Sequence, residues 1–237
     1  NAAWACESMA WFSSHRNPST GVEAPQVAAP GVGINMQSCN ANGFTYVADG
    51  TSFSSPLVAG EAALIVSRDA ALKSWPEAVR AIVMATAWHN IEGSAALSGM
   101  DGAGGIDARA SVLVTGRGRG TGFQYGTLTA SSFNAAGNAL AQTAYVPAGR
   151  QVRACLSFNS VVTGATYASD ALVSDLDLYV YGPNGQLVAW SVSGVNPFEV
   201  VQFTAATSGI YTVMVRRFRL GSPSEFYGTA LSVSTDI

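Results

Sequence analysis

The chain has 237 residues, enough for one large domain or two of modest size. Charged residues make up 11% of it, against roughly 25% in an average soluble protein, and the net charge is -3. An acidic chain without a basic stripe has little with which to neutralise phosphates, which argues against a nucleic-acid partner. No apolar run reaches the ~18 to 20 residues that cross a bilayer, so no membrane span is predicted. Small residues replace the charges, a composition common in secreted hydrolases, and we expect a secreted or extracellular protein.

The first part of the chain alternates strand and helix patterns. Residues 27–34 and 44–48 are predicted to be short buried strands, because Val, Ile and aromatic residues lie between turn signals. A helix is predicted from Ser52 to Arg68, with Pro56 tolerated in its first turn. Strands interleaved with buried helices indicate an α/β domain with a largely parallel sheet, over residues 1–115.

A second helix is predicted to open at Ser74 and to run to about Trp88. Ser74 and Glu77 have the spacing of a capping box, and Pro76 falls early in the helix. Apolar residues then recur at helical spacing, which predicts that this face of the helix lies in the core.

The pattern changes after residue 115. Residues 116–120 alternate Gly and Arg and are predicted to form a flexible linker. Residues 121–237 lack helical periodicity and are predicted to form an antiparallel, jelly-roll-like β-sandwich domain. The strand-like runs are 151–158, 176–181, 186–192, 199–204, 210–216 and 229–234.

A serine at the start of the first predicted helix is the strongest chemical signal. Gly50 and Thr51 give the chain a tight entry to the helix, and Ser52 follows them. The N–H groups and the positive end of a helix favour nearby negative charge, and acyl transfer builds an oxyanion beside the attacking oxygen. Gly50, Thr51 and Ser52 therefore form a candidate nucleophile and oxyanion turn. A simpler interpretation is that the serine only caps the helix.

The full string GTSFSSPLVAG at residues 50–60 closely resembles the serine signature of the subtilisin-like serine peptidases. Residues 11–14, 27–32 and 102–108 resemble the FSS, APG and glycine-rich segments of the same family, in the same order. The resemblance covers residues 9 to about 114, and it implies the C-terminal part of a subtilisin-like catalytic domain of three layers around a parallel sheet. It also implies that Ser52 is the nucleophile of an endopeptidase. The run at residues 175–180 resembles β-sandwich domains appended to many secreted peptidases.

The resemblance leaves the catalytic base unassigned. In this family the aspartate, the histidine and the oxyanion asparagine all precede the serine, and here 51 residues precede Ser52. His15 and His89 lie outside the family's histidine motif, and Lys73 lies among polar residues, so neither a His base nor a Ser–Lys pair is predicted. We expect an N-terminal segment of the same protease to act as the partner that supplies these groups, and this chain alone to be inactive. The alternative is a non-catalytic binding or stabilising β-sandwich attached to an inactive peptidase remnant.

The expected reaction requires no cofactor, but the second domain suggests a metal. Asp175 and Asp177 alternate along a predicted strand and so share a face, and calcium prefers such oxygen ligands. Asp170 and Asn184 are candidates to complete a structural calcium site. The simpler interpretation is that both aspartates face solvent from a half-buried strand.

The three cysteines cannot all pair with one another. Cys6 and Cys39 fall in the same segment, and a disulfide between them is left open. Cys155 lies in a strand-like run and is predicted to be a buried free thiol.

Overall fold

The computed structural model describes residues 8–15, 21–37, 46–87, 96–160 and 171–234. The first part of the chain contributes two short strands and three α-helices, with a 3-10 helix between the first two. Their bounds are β1 (Ile34–Met36), β2 (Tyr46–Ala48), α1 (Thr51–Arg68), the 3-10 helix (Ala70–Ser74), α2 (Pro76–Thr86) and α3 (Ala108–Gly116).

The second part forms two antiparallel four-stranded sheets. Sheet A has the order β3-β10-β5-β8, and sheet B has the order β4-β9-β6-β7. The strands are β3 (Phe123–Thr129), β4 (Asn138–Val146), β5 (Gln151–Phe158), β6 (Asp175–Tyr181), β7 (Leu187–Ser191), β8 (Phe198–Thr204), β9 (Gly209–Arg219) and β10 (Ser224–Val233). All six strand-like runs predicted from the sequence are therefore strands, and the expected β-sandwich is confirmed at this level.

The sandwich core lies between the two sheets, where alternate residues of each strand point inward. Sheet A is apolar on its outer face as well, and the helices cover that face. Residues of α2 form one buried cluster with Phe123, Cys155 and Phe198 of sheet A. The chain therefore stacks in three layers, which are helices, sheet A and sheet B.

A glycine allows helix α2 to lie directly on strand β10. A Cβ atom at Gly228 would collide with the backbone of Glu77 and Ala78 at the start of α2. Nearby, Trp75 stacks on the ring of Tyr125 at 4.6 Å between ring centres. Close backbone approach and ring stacking together fix the helix on the sheet.

Two arginines, Arg80 half-buried and Arg153 buried, bond across the same interface in opposite directions. Arg80 of α2 donates through Nε to Ser157 Oγ at 2.6 Å, and through Nη2 to the carbonyl oxygen of Phe158 at 2.7 Å. Arg153 of β5 donates through Nη1 to the carbonyl oxygens of Ala87 and Ala103. Burial lowers the pKa of Arg153 to about 10, so it remains charged at neutral pH.

The parallel sheet expected in residues 1–115 is not confirmed. Strand β1 shares only Ile34 with the strand predicted at 27–34, whereas β2 lies within the predicted 44–48. The two pair in antiparallel fashion and are partly exposed, where buried strands were predicted. Within the described ranges of this part, the parallel pairing is a single bridge between Ala28 and Gly105. Helix α3 and strands β3 and β4 were not predicted from the sequence.

Two local predictions are wrong. The N-cap of α2 is Trp75, without a side-chain hydrogen bond, because Ser74 belongs to the preceding 3-10 helix. Residues 116–120, predicted to be a flexible linker, form a hydrogen-bonded turn. Arg117 in this turn donates to the carbonyl oxygen of Leu231, and Arg119 lies over the ring of Tyr125 at 4.2 Å.

None of the helices in the described ranges is both long and apolar enough to cross a membrane.

Candidate nucleophile site

The β1–β2 ladder brings two of the predicted motifs together. Its register pairs Ile34 with Ala48, so the Pro-Gly loop before β1 lies beside the Gly-Thr-Ser turn after β2. The backbone N–H of Gly50 donates to the carbonyl oxygen of Gly31 at 2.7 Å, and the N–H of Gly33 donates to Asp49 Oδ1 at 2.6 Å. The turn that presents Ser52 is thus held by the loop at residues 30–33.

Gly31 has a steric reason to be glycine. A Cβ atom at this position would collide with the side-chain oxygen of Ser54 and would lie 2.9 Å from the carbonyl oxygen of Gly50. Any larger residue would push the loop away from the start of α1. The APG and GTS segments are therefore parts of one packed corner.

Ser52 lies in the first turn of α1, as predicted, and its side chain is exposed. The carbonyl oxygen of Gly50 accepts from the N–H of Phe53 at 3.0 Å. The N–H groups of Thr51 and Ser52 come before this bond at the start of the helix, where backbone N–H groups have no acceptor within the helix. Pro56 lies in the second turn, not in the first as predicted. Because proline has no N–H, the carbonyl of Ser52 loses its usual helical donor.

The described residues do not place a base beside Ser52. His15 is exposed, and its Nδ1 atom lies 3.5 Å from the carbonyl oxygen of Ser13. His89 lies outside the described residues, as do Cys6 and Cys39. Ser54 is half-buried beside Gly31, whereas Ser55 is exposed.

The two aspartates predicted as metal ligands are buried on strand β6, which overturns the simpler interpretation that they face solvent. In the strand register Asp175 faces Arg219, and Asp177 faces Arg216. Burial and the neighbouring charge of Asp175 raise the pKa of Asp177 to about 6, while Arg216 opposes that rise. Burial also raises the pKa of Asp175, against the effect of Arg219.

Glu199 of strand β8 completes this acidic region, and sequence reasoning missed it. Its carboxylate accepts from Ser191 Oγ and from the backbone N–H of Ser193 at 2.7 Å, so it ties sheet A to the end of β7. Burial raises the pKa of Glu199 to about 8; the two hydrogen bonds lower it, and the charges of Asp177 and Asp175 raise it. The sequence did carry one sign of a buried carboxyl group here, since Glu199 is the single charged residue in the apolar run FEVV at 198–201.

In the part of the chain that the structure describes, no group of three or more His, Cys, Asp or Glu residues is arranged to hold a metal ion. Asn184 lies in the exposed turn after β6, and Asp170 lies outside the described residues. The calcium site at Asp175 and Asp177 stays a prediction. The prediction for Cys155 is confirmed, because Cys155 is a fully buried free thiol. Burial raises the pKa of this thiol to about 12.

Comparison with solved structures gives matches that each cover 47% of this chain. The pre-peptidase C-terminal domain of a collagenase from Bacillus anthracis matches with 10% identity over 90% of its own chain, at a TM-score of 0.31. A periplasmic inhibitor of g-type lysozyme from Aeromonas hydrophila matches with 14% identity over 83% of its own chain, at a TM-score of 0.28.

Comparison with protein families gives a match in the first part of the chain. The model of the subtilase family, a family of serine peptidases, matches residues 5–107. This range contains the serine turn, the loop that packs against it, and the glycine-rich stretch before α3. Residues 5–107 of this chain are therefore similar to the subtilase family.

Proposed function

We propose that this protein is a serine endopeptidase that hydrolyses peptide bonds through an acyl-enzyme on Ser52. The observation that carries the proposal is an intact serine signature folded into one packed corner. Gly31, Gly50 and Ser54 meet there, and Ser52 stands exposed in the first turn of α1. A decayed peptidase has no reason to keep both the serine and the small residues around it.

In the proposed reaction the Ser52 hydroxyl attacks the scissile carbonyl, and its proton passes to a histidine base. The oxyanion receives one hydrogen bond from the backbone N–H of Ser52, at the positive end of the helix. The oxyanion turn is Gly50, Thr51 and Ser52, and the chemistry uses no cofactor.

The histidine, its aspartate and a second oxyanion donor come, in this proposal, from an N-terminal segment of the same protease. His15 is a poor candidate for the base, since it is exposed and lies beside Ser13. Without a base the Ser52 hydroxyl stays protonated at neutral pH. Removal of the histidine from subtilisin itself costs on the order of a millionfold in kcat, so residues 1–237 alone should not turn over peptides at enzymatic rates.

The proposed enzyme is secreted and acts on proteins or peptides. The β-sandwich stabilises it through sheet A, whose outer face packs on α2. In the competing proposal the sandwich is a binding module and the peptidase part is inert.

The test compares two serine variants of the complete protease. Ser52→Ala should abolish peptide hydrolysis without changing the thermal unfolding temperature, because its side chain is exposed. Ser55→Ala is the matched control, being an exposed serine of the same helix, and should retain activity. Equal activity in Ser52→Ala and the unmodified enzyme would eliminate Ser52 as the nucleophile. A complete protein without any turnover would favour the binding module.

A further inference from the structure

Helix α1 carries a buried carboxyl group that the proposed reaction does not use. Glu61 is 1% exposed, and Ile65 is the other buried residue of this helix. The two are four positions apart, so they share the face that packs toward α3. Glu61 lies nine residues after Ser52, about 14 Å along the helix axis and on its opposite side. The contacts of Glu61 therefore fix the helix that presents Ser52.

A row of short hydrogen bonds runs from Glu61 across α3 into α2. Glu61 Oε1 lies 2.6 Å from Ser111 Oγ, and Ser111 Oγ lies 2.6 Å from Thr86 Oγ1. Thr86 Oγ1 in turn lies 2.8 Å from the carbonyl oxygen of Ile82, one helical turn earlier. All three side chains are buried. The row has three links and ends on a carbonyl, which only accepts.

Counting hydrogens decides the direction of this row. The two hydroxyl groups supply two hydrogens, and the three links require three. The Ile82 carbonyl accepts, so Thr86 donates to it, and Ser111 must then donate to Thr86. The link between Ser111 and Glu61 is left without a hydrogen unless the carboxyl group itself carries one. All three links form together only when Glu61 is protonated and donates to Ser111.

The surroundings of Glu61 also favour the neutral acid. Its second oxygen, Oε2, is buried without a partner among the described residues, and an unpaired buried carboxylate oxygen is costly. Burial is the largest cause that raises the pKa of Glu61 to about 7; donation from Ser111 would lower it, and the charge of Asp107 raises it. Asp107 caps α3 and is the charged group that acts on Glu61. The other charged residues on α1 and on the elements packed against it are Arg68, Asp69, Lys73, Glu77, Arg80 and Arg109.

We propose that Glu61 keeps its proton far above the pH range of an ordinary carboxyl group and, while protonated, donates into a one-directional hydrogen-bond chain through Ser111 and Thr86 to the carbonyl oxygen of Ile82. This hydrogen-bond chain joins α1 to α3 and α2 through a proton that is lost as the pH rises through neutrality. Its role in positioning the helix of Ser52 rests on the function proposed above. The chain itself is independent of that function.

The test measures the ionisation of Glu61 by NMR in protein labelled with 13C at the Glu side-chain carboxyls. The resonance of Glu61 is assigned by its absence in Glu61→Gln. In the unmodified protein it should titrate near pH 7. Titration near the ordinary value of 4.5 would overturn the proposal.

The decisive variant is Thr86→Val, which keeps the shape of the side chain and removes the acceptor of Ser111. The freed hydroxyl hydrogen of Ser111 then donates to the Glu61 carboxylate and stabilises it. The titration midpoint should fall by about 1 pH unit, a tenfold change in the ionisation constant. If burial alone kept Glu61 neutral, Thr86→Val would leave the midpoint unchanged or raise it, and the proposal would be refuted.

Thr115→Val is the matched control. Thr115 is also buried, but it donates to the backbone carbonyl of Ser111 at 2.7 Å and lies outside the hydroxyl chain. The midpoint of Glu61 should not change in this variant, and a fall equal to that in Thr86→Val would contradict the chain. Failure of Ser52 to react with a fluorophosphonate, with Glu61 titrating as expected, would refute the proposed function and leave the hydrogen-bond chain standing.

Discussion

Arg153→Met tests whether the helices and the sandwich are bonded into one structure. Arg153 is 7% exposed and donates from strand β5 to the carbonyl oxygens of Ala87 and Ala103, which belong to the first part of the chain. Its Nε atom also donates to Gln202 Oε1 at 3.1 Å. Methionine keeps much of the side-chain volume and removes every donor.

The expected loss follows from the two carbonyl groups. Each buried acceptor left without a donor costs about 1 to 3 kcal/mol. The gain from no longer burying a charge offsets part of this cost, so we expect a net loss of about 3 kcal/mol in the free energy of unfolding. In a chain of this size that corresponds to a fall in Tm of roughly 6 to 12 °C.

The assay is urea denaturation of the full chain followed by circular dichroism. Arg150→Met is the matched control, because Arg150 is exposed at the turn just before β5, and it should change stability by less than about 0.5 kcal/mol. A loss below about 1 kcal/mol in Arg153→Met would refute the reasoning, since it would mean that water satisfies both carbonyls.

The remaining predictions concern the same layers. Because burial raises the pKa of Glu199 from 4.5 to about 8, folding favours its protonated form; its stabilising effect is full below pH 4.5 and is lost as the pH rises through 8. Thermal unfolding temperatures should fall from pH 5 to pH 9, and less steeply in Glu199→Gln; equal slopes would contradict this. Gly228→Val should lower the unfolding temperature by several degrees through collision with α2, whereas Gly60→Val, at an exposed helical position with open space around its Cβ, is the control and should change it little. Residues 121–237 expressed alone should bind a hydrophobic dye and associate, because the outer face of sheet A is then uncovered, and a monodisperse monomer would contradict the three-layer packing.

The sandwich strands were predictable where apolar residues alternate between clear turns. Strand β5 occupies 151–158 as predicted. The predicted Gly-Pro-Asn-Gly turn separates strand β6 from strand β7. Strands β3 and β4 were missed because Gly126 and several alanines weaken the alternation, and β4 also has an irregular register near Leu140. Propensity alone does not reveal strands whose stability comes from their neighbours.

The serine turn was predictable because its chemistry is encoded in adjacent residues. Its supporting contacts were not, since the close approach of Gly31 to Gly50 depends on how β1 pairs with β2. Glu61 was visible as a single charge inside an apolar run. Its partners lie 25 and 50 residues further along the chain, and a linear pattern cannot identify them.

The central claim is that Ser52 is the nucleophile of a serine peptidase, and covalent labelling tests it most directly. The complete protease is treated with a fluorophosphonate, digested, and mapped by mass spectrometry. The account predicts one adduct, on Ser52, and none in Ser52→Ala. An adduct on Ser54, Ser55 or a later serine, or the absence of labelling in a protease that hydrolyses peptides, would contradict it.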